Sequence, residues 1–209
     1  MKRLDDLWND RGNDIERLVF FSDAVFAVAL TLLVLDLSLP DGVAAGRLPA
    51  ALGALWPGML ALLISFFVIS FFWRAHHRVF HLIERYDRWL IGLNFLFLLG
   101  IVLQPFSTEL ISRYGTERLA VTLYAGLLAV TGLLLTVIWV YATAKGLLGD
   151  ATLDAELTRF YTLRTLIPSL LFLVSAGLAL IWPPLWIPWL WLLILPVRGL
   201  LKWGLRRRG

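Results

Sequence analysis

The sequence predicts an all-α, polytopic membrane protein with six transmembrane helices and both termini in the cytoplasm. Three observations carry that expectation. Of the 209 residues, 59% are hydrophobic, against roughly 45–50% in ordinary soluble domains, and the mean hydropathy is +0.78. Apolar runs of about 20 residues, the length that crosses a bilayer, alternate with short segments that hold the charges. The lysines and arginines are also unevenly shared between alternate segments. Sixteen of the 19 fall on the side of the N-terminus, and only Arg47, Arg113 and Arg118 fall on the other. Such a bias sets orientation.

The spans follow in order. The first covers 18–39, and Pro40-Asp41-Gly42 closes it as a turn. The second covers 50–73. The third covers 89–111 and contains Asn94; Gln104-Pro105 is expected to kink it or end its regular part. The fourth covers 119–144, the fifth 163–182 and the sixth 184–201, with Pro183-Pro184 as a very short outer turn between the last two. Trp182, Trp186 and Trp189 cluster at the outer interface and Trp203 sits at the inner one, as in an aromatic belt. Arg206-Arg207-Arg208 reads as a topology anchor that also contacts anionic lipid. Residues 1–16 are charged throughout, and the first apolar run has no small-residue cleavage site after it, so no cleavable signal peptide is expected. The whole of 1–209 reads as one six-helix domain without internal duplication.

Several function classes drop out. There is no cysteine, hence no disulfide framework and no thiolate metal site. The net charge of +4 lies at the ends of apolar spans, which indicates topology rather than nucleic-acid binding. No Gly-x-Ser-x-Gly, His-Glu-x-x-His or phosphate-binding glycine loop occurs, and no pair of buried carboxylates, so no enzyme is expected. Ser22 stands beside Asp23, but adjacent helix residues point apart, which removes the one candidate nucleophile and base.

The first span is the informative one. Past Asp23 it is long and apolar enough to cross a bilayer, yet Ser22 and Asp23 sit about one turn inside its charged end. Ionisable residues inside a membrane are costly and point to function. At about 100° per residue, Ala24, Val28, Thr31, Leu32 and Leu35 share one stripe, extended by Arg17 and Phe21. Ser22 and Asp23 lie off it and need protein partners, since lipid offers none. On its own the helix is open to two readings: a pore-facing ladder, or a packing stripe with a buried polar pin.

Arg17-x-x-x-Phe21-Ser22-Asp23, followed by Phe26-Ala27 and the run Thr31-Leu32-Leu33-Val34-Leu35, resembles the start of the transmembrane protein 175 family, the potassium channels of endosomes and lysosomes. The chain looks like that family's bacterial branch, and the similarity continues downstream over most of its length. Pro105-Phe106-Ser107-Thr108 is similar to the family's third-helix end and reads as a kink and cap. The resemblance implies a multi-pass protein of the bacterial inner membrane, a homotetramer whose first helices line the pore. Potassium or another monovalent cation would be the permeant ion. No cofactor and no resident metal are expected. The resemblance places hydrophobic pore layers at Val28, Leu32 and Leu35, and the threonine implicated in selectivity at Thr31. Val28 is smaller than the isoleucine or leucine often found in that layer. No Thr-Val-Gly-Tyr-Gly filter is present, so selectivity by carbonyl rings is not expected.

Depth sorts the remaining polar residues. Asp23, the Trp73-Arg74-Ala75-His76-His77-Arg78 stretch and Asn94 all fall toward the inner ends of their spans, so they can meet. The expected cluster is Ser22, Asp23, Trp73, Asn94 and one histidine, either His76 or His77, pinning the first helix to its own subunit. The resembling family uses its tryptophan, histidine and asparagine in this way. His77 and His81 are four apart with Glu84 near, but two histidines without a firm third ligand make weak evidence for zinc. Asp36 is either an attractor of cations at a pore mouth or a solvated helix-end carboxylate. The alternatives to a channel are a secondary transporter coupled through Asp23, a proton-leak pathway, or a non-conducting scaffold. Transporters usually show repeats and broken helices near the midplane; here the first helix is unbroken.

Overall fold

The structure is a computed structural model, and it describes residues 15–35, 37–39, 42–44, 46–149, 154–184 and 187–191. Among these the regular elements are all helical: α1 (Glu16–Leu32), α2 (Leu48–Ala54), α3 (Trp56–Phe80), α4 (Arg88–Val102), α5 (Gln104–Tyr114), α6 (Arg118–Ala144), α7 (Ala155–Ile181) and the short α8 (Ile187–Leu190). Four stretches are long and apolar enough to cross a membrane: Trp56–Phe80, Arg88–Tyr114, Arg118–Ala144 and Ala155–Ile181. The 17 residues of α1 rise about 26 Å, and turns at Leu33, Val34 and Leu35 extend it.

Local sequence explains most of the helix ends. Glu16 sits in the first turn of α1, where a carboxylate complements the helix dipole. The stretch expected as a second span beginning at residue 50 is divided at Leu55, with Pro57 in the first turn of α3, the position proline tolerates best. At its other end α3 runs on to Phe80, with His77 and Arg78 in the last turn, where positive charge is favoured. Asp87 is extended and accepts from the Leu90 amide at 2.9 Å, which caps α4. Leu103 separates α4 from α5 because Pro105, in the first turn of α5, has no N–H to continue the ladder. The fifth span starts at Ala155, earlier than the apolar run, since its first turns are amphipathic and carry Glu156 and Arg159. Of the sixth, only Pro184, Ile187–Leu190 and Trp191 fall among the described residues. Asp36, Trp186, Trp203 and Arg206 to Arg208 lie outside them.

Two small-residue contacts set the central layer. A side chain on Gly100 of α4 would collide with Thr131 of α6, and one on Gly132 of α6 would collide with Ser169 of α7. Backbones approach closely there, as helices packed in lipid do. A second polar cluster lies inside this layer: Ser65 Oγ lies 2.7 Å from the Thr108 hydroxyl and 2.9 Å from the Tyr124 hydroxyl.

On the other side, α1 packs against α3, α4 and α5. Phe26, Phe72 and Phe97 form the aromatic core beneath it, with ring centroids 6.0 Å apart for Phe26–Phe97 and 6.3 Å for Phe72–Phe97. At the end of the molecule where α3 finishes, the loop after α6 clasps the loop after α3. Ile83 and Leu148 form an antiparallel bridge, and Arg85 donates to the Gly146 carbonyl at 3.1 Å. The Tyr141 hydroxyl donates to the second oxygen of Asp87 at 2.6 Å, so one carboxylate both caps α4 and ties it to α6.

Candidate functional site

The two faces of α1 differ sharply. Ser22, Phe26, Ala29 and Leu33 recur at helical spacing and are buried. Val28, Thr31, Leu32 and Leu35 occupy the other side; Val28 is 56% exposed, Leu32 38% and Leu35 69%, and Thr31 is exposed as well. The Thr31 hydroxyl donates to the Val28 carbonyl at 2.8 Å. Arg17 is exposed near the start of the helix. Phe21 is half exposed and meets Phe95 edge-on at 5.7 Å.

Ser22 and Asp23 are neighbours on α1, and they bind different helices. The Asn94 side-chain amide of α4 donates to Ser22 Oγ at 3.0 Å, and Ser22 in turn donates to the Leu18 carbonyl at 2.8 Å. The Trp73 indole N–H of α3 donates to Asp23 Oδ1 at 2.8 Å. The third link lies between the partners themselves: His76 Nε2 is 2.9 Å from Asn94 Oδ1. An amide oxygen only accepts, so the imidazole carries its proton on Nε2 toward Asn94. The result is a buried relay His76–Asn94–Ser22 with Trp73–Asp23 at its rim.

His76 is the histidine in the cluster. It is fully buried, stacked on Phe80 at 4.1 Å and on Phe97 at 5.3 Å, with Phe26 tilted against it at 5.8 Å. His77 points out. It stacks on the Trp73 indole at 5.6 Å and on His81 at 6.4 Å, which braces the indole from its open side. His77, His81 and Glu84 line an open cavity of about 1200 Å³ with Glu16, Phe20 and Arg85. Among the described residues, no three His, Cys, Asp or Glu side chains come together in a way that could hold a metal ion.

Sequence reasoning missed the aromatic cage of His76. Its signal was Phe26, four residues after Ser22 on the same face, together with Phe80 and Phe97. It also missed the Ser65–Thr108–Tyr124 cluster, although Ser65 stood alone in an apolar run. Ser107 and Thr108, read as part of a kink and cap, do not cap: the start of α5 has no side-chain cap bond, and both hydroxyls fold back onto the Gln104 carbonyl inside the helix, at 2.9 and 2.8 Å.

The family model described as "Endosomal/lysosomal potassium channel TMEM175" matches residues 17–105, which include every residue of this relay. A potassium channel of Streptomyces collinus is 36% identical over 177 residues, covering 83% of this chain and 86% of that protein. The chain belongs to the TMEM175 family. A potassium channel of Chamaesiphon minutus is 38% identical over 140 residues, covering 64% of this chain and 69% of its own length. The crystal structure of a lysosomal potassium-selective channel TMEM175 homolog from that organism superposes with a TM-score of 0.77 at 29% identity, over 91% of this chain and 99% of that one. TMEM175 is a family of ion channels and not of enzymes.

Proposed function

We propose that this chain is a potassium-permeable cation channel of a bacterial inner membrane, a homotetramer in which the first helix of each subunit lines a central pore. The observation that carries this reading is the outward face of α1. Val28, Thr31, Leu32 and Leu35 stay exposed on a helix whose opposite face is fully packed. One such stripe cannot enclose a path, but copies around a symmetry axis can. The potassium channels among the relatives support the choice of ion.

In this reading the six spans are α1 with its terminal turns, α3, α4 with α5, α6, α7, and the segment 184–201. The lysine and arginine bias then places both termini in the cytoplasm. Rings of Val28, Leu32 and Leu35 make a hydrophobic constriction. Such a ring offers no oxygen to replace an ion's hydration shell, so a narrow one excludes water and blocks conduction. Opening widens it. Thr31 supplies the hydroxyl of the stripe and therefore discriminates among partly hydrated cations. The relay of Ser22, Asp23, Trp73, His76 and Asn94 holds α1 at its inner end so that the stripe faces the axis. The permeant potassium ion is the only small partner the mechanism needs.

Potassium flux into liposomes containing the purified protein tests the reading. A channel passes potassium down its gradient without a coupled ion, and cross-linking recovers four subunits. Intact oligomers that pass no potassium, or that pass it only against a second ion's gradient, overturn it.

A further inference from the structure

Away from the α1 face, a crevice opens between α3, α6 and α7. Arg78 and Arg164 both line it, and among the described residues that line it there is no carboxylate. Its polarity runs along the helices. Arg78 lies near the end of α3 and Phe71 two turns deeper; Arg164 lies in the first half of α7 and Phe172 two turns deeper. The enclosed part measures about 20 Å³, room for one oxygen-sized group. Behind it, the close approach of Gly132 to Ser169 seals α6 against α7.

Arg164 is held for a purpose that its own contacts do not fulfil. Its guanidinium carbon lies 5.7 Å over the Phe160 ring, yet its Nε–H is buried with no acceptor. A buried donor of this kind calls for an acceptor. Outside the crevice, Phe67 is exposed on α3 one turn beyond Phe71, so the apolar lining continues past Phe71. Two guanidiniums at the inner end and aromatic rings toward the bilayer middle fit an anionic amphiphile in one orientation only.

We propose that this crevice binds the phosphate of an anionic phospholipid from the inner leaflet. A non-bridging phosphate oxygen enters the enclosed space and accepts from the two guanidiniums, whose planar forks suit phosphate, and an acyl chain lies along Phe71 and Phe172. Inorganic phosphate shares the anionic chemistry but has nothing to place against the rings. The proposal rests on the orientation given above and does not depend on conduction.

Native mass spectrometry of the delipidated, full-length oligomer titrated with phosphatidylglycerol or phosphatidylcholine reads the site. Phosphatidylglycerol is expected to be retained in preference to phosphatidylcholine. Arg78→Gln and Arg164→Gln are each expected to weaken its retention about fivefold, whereas Arg113→Gln, at a residue paired with Glu109 at 2.8 Å, leaves it unchanged. Arg164→Lys keeps the charge and removes the buried Nε–H, which guards against a folding defect; it is expected to show a smaller, measurable loss. Wild-type retention in the double glutamine variant or in Arg164→Lys overturns the site. Displacement of phosphatidylglycerol by millimolar inorganic phosphate overturns the assignment to a lipid headgroup.

Discussion

Trp73 and Asp23 lie fifty residues apart in sequence, and their indole N–H and carboxylate meet at 2.8 Å. One residue back along α1, Ser22 meets Asn94 of a different helix. The first bond lies at the exposed rim and the second in the dry interior, so removing them has different consequences.

Asp23→Asn keeps the shape and removes the charge from the Trp73 bond. Charge-assisted hydrogen bonds are about twice as strong as neutral ones, so the loss is about 1 kcal/mol per subunit. Thermal unfolding and size-exclusion chromatography are expected to show a weaker oligomer, and flux to fall with little change in ion preference. A changed preference for potassium over sodium would move Asp23 into the pore.

Asn94→Leu strands the buried His76 N–H and takes the amide donor from Ser22, at a cost of about 2–3 kcal/mol. The triple variant Ser22→Ala, Asn94→Leu, His76→Phe removes all three polar groups together. Because groups in one network are not additive, it is expected to unfold at a higher temperature than Asn94→Leu alone. The reverse order would mean that the relay is incidental to packing.

Leu32→Asn and Leu35→Asn are expected to wet the constriction and raise potassium flux in liposomes. Leu33→Asn is the contrast, since Leu33 is 2% exposed. Its buried amide destabilises by about 1–3 kcal/mol and is expected to lower yield without raising flux. Unchanged flux in both exposed-face variants would make the ladder a packing surface.

Thr31→Val removes the hydroxyl from the stripe and keeps its volume. The bond it breaks, to the Val28 carbonyl, is local to α1 and exposed, so assembly should hold. The potassium-to-sodium permeability ratio is expected to fall more than oligomer yield does, and the opposite pattern would assign Thr31 a structural role.

Gly100→Ala is expected to lower the unfolding midpoint, because the new methyl meets Thr131 and overpacking costs about 1–3 kcal/mol. Pairing it with Thr131→Ala clears the space and should restore most of the loss.

Much of this was legible in the sequence because apolar length and charge bias are strong, local signals. The polar partners of α1 were legible from depth together with the family resemblance: Trp73, Asn94 and a histidine fall at a similar level and can meet. His76 could not be told from His77, since both fall within a turn of Trp73 and only packing against Phe26, Phe80 and Phe97 separates them. The break at Leu103 was written in Pro105. The early start of α7 was not, because amphipathic turns ahead of an apolar run carry no hydropathy signal. The Gly100–Thr131 and Gly132–Ser169 contacts were silent too, because a glycine shows its purpose only once its neighbour is known.

The divergent bonds of Ser22 and Asp23 have a mechanical consequence. Two tethers to two helices, about 100° apart around one axis, resist torque in either sense, since turning α1 stretches one bond or the other. Toward Leu35, among the described residues, no side-chain hydrogen bond ties the helix to another, and packing of Ala29 and Leu33 holds it. A rod fixed in this way is a cantilever. It yields by flexing its free end, so the displacement available to it grows from Val28 toward Leu35 and is least beside Ser22.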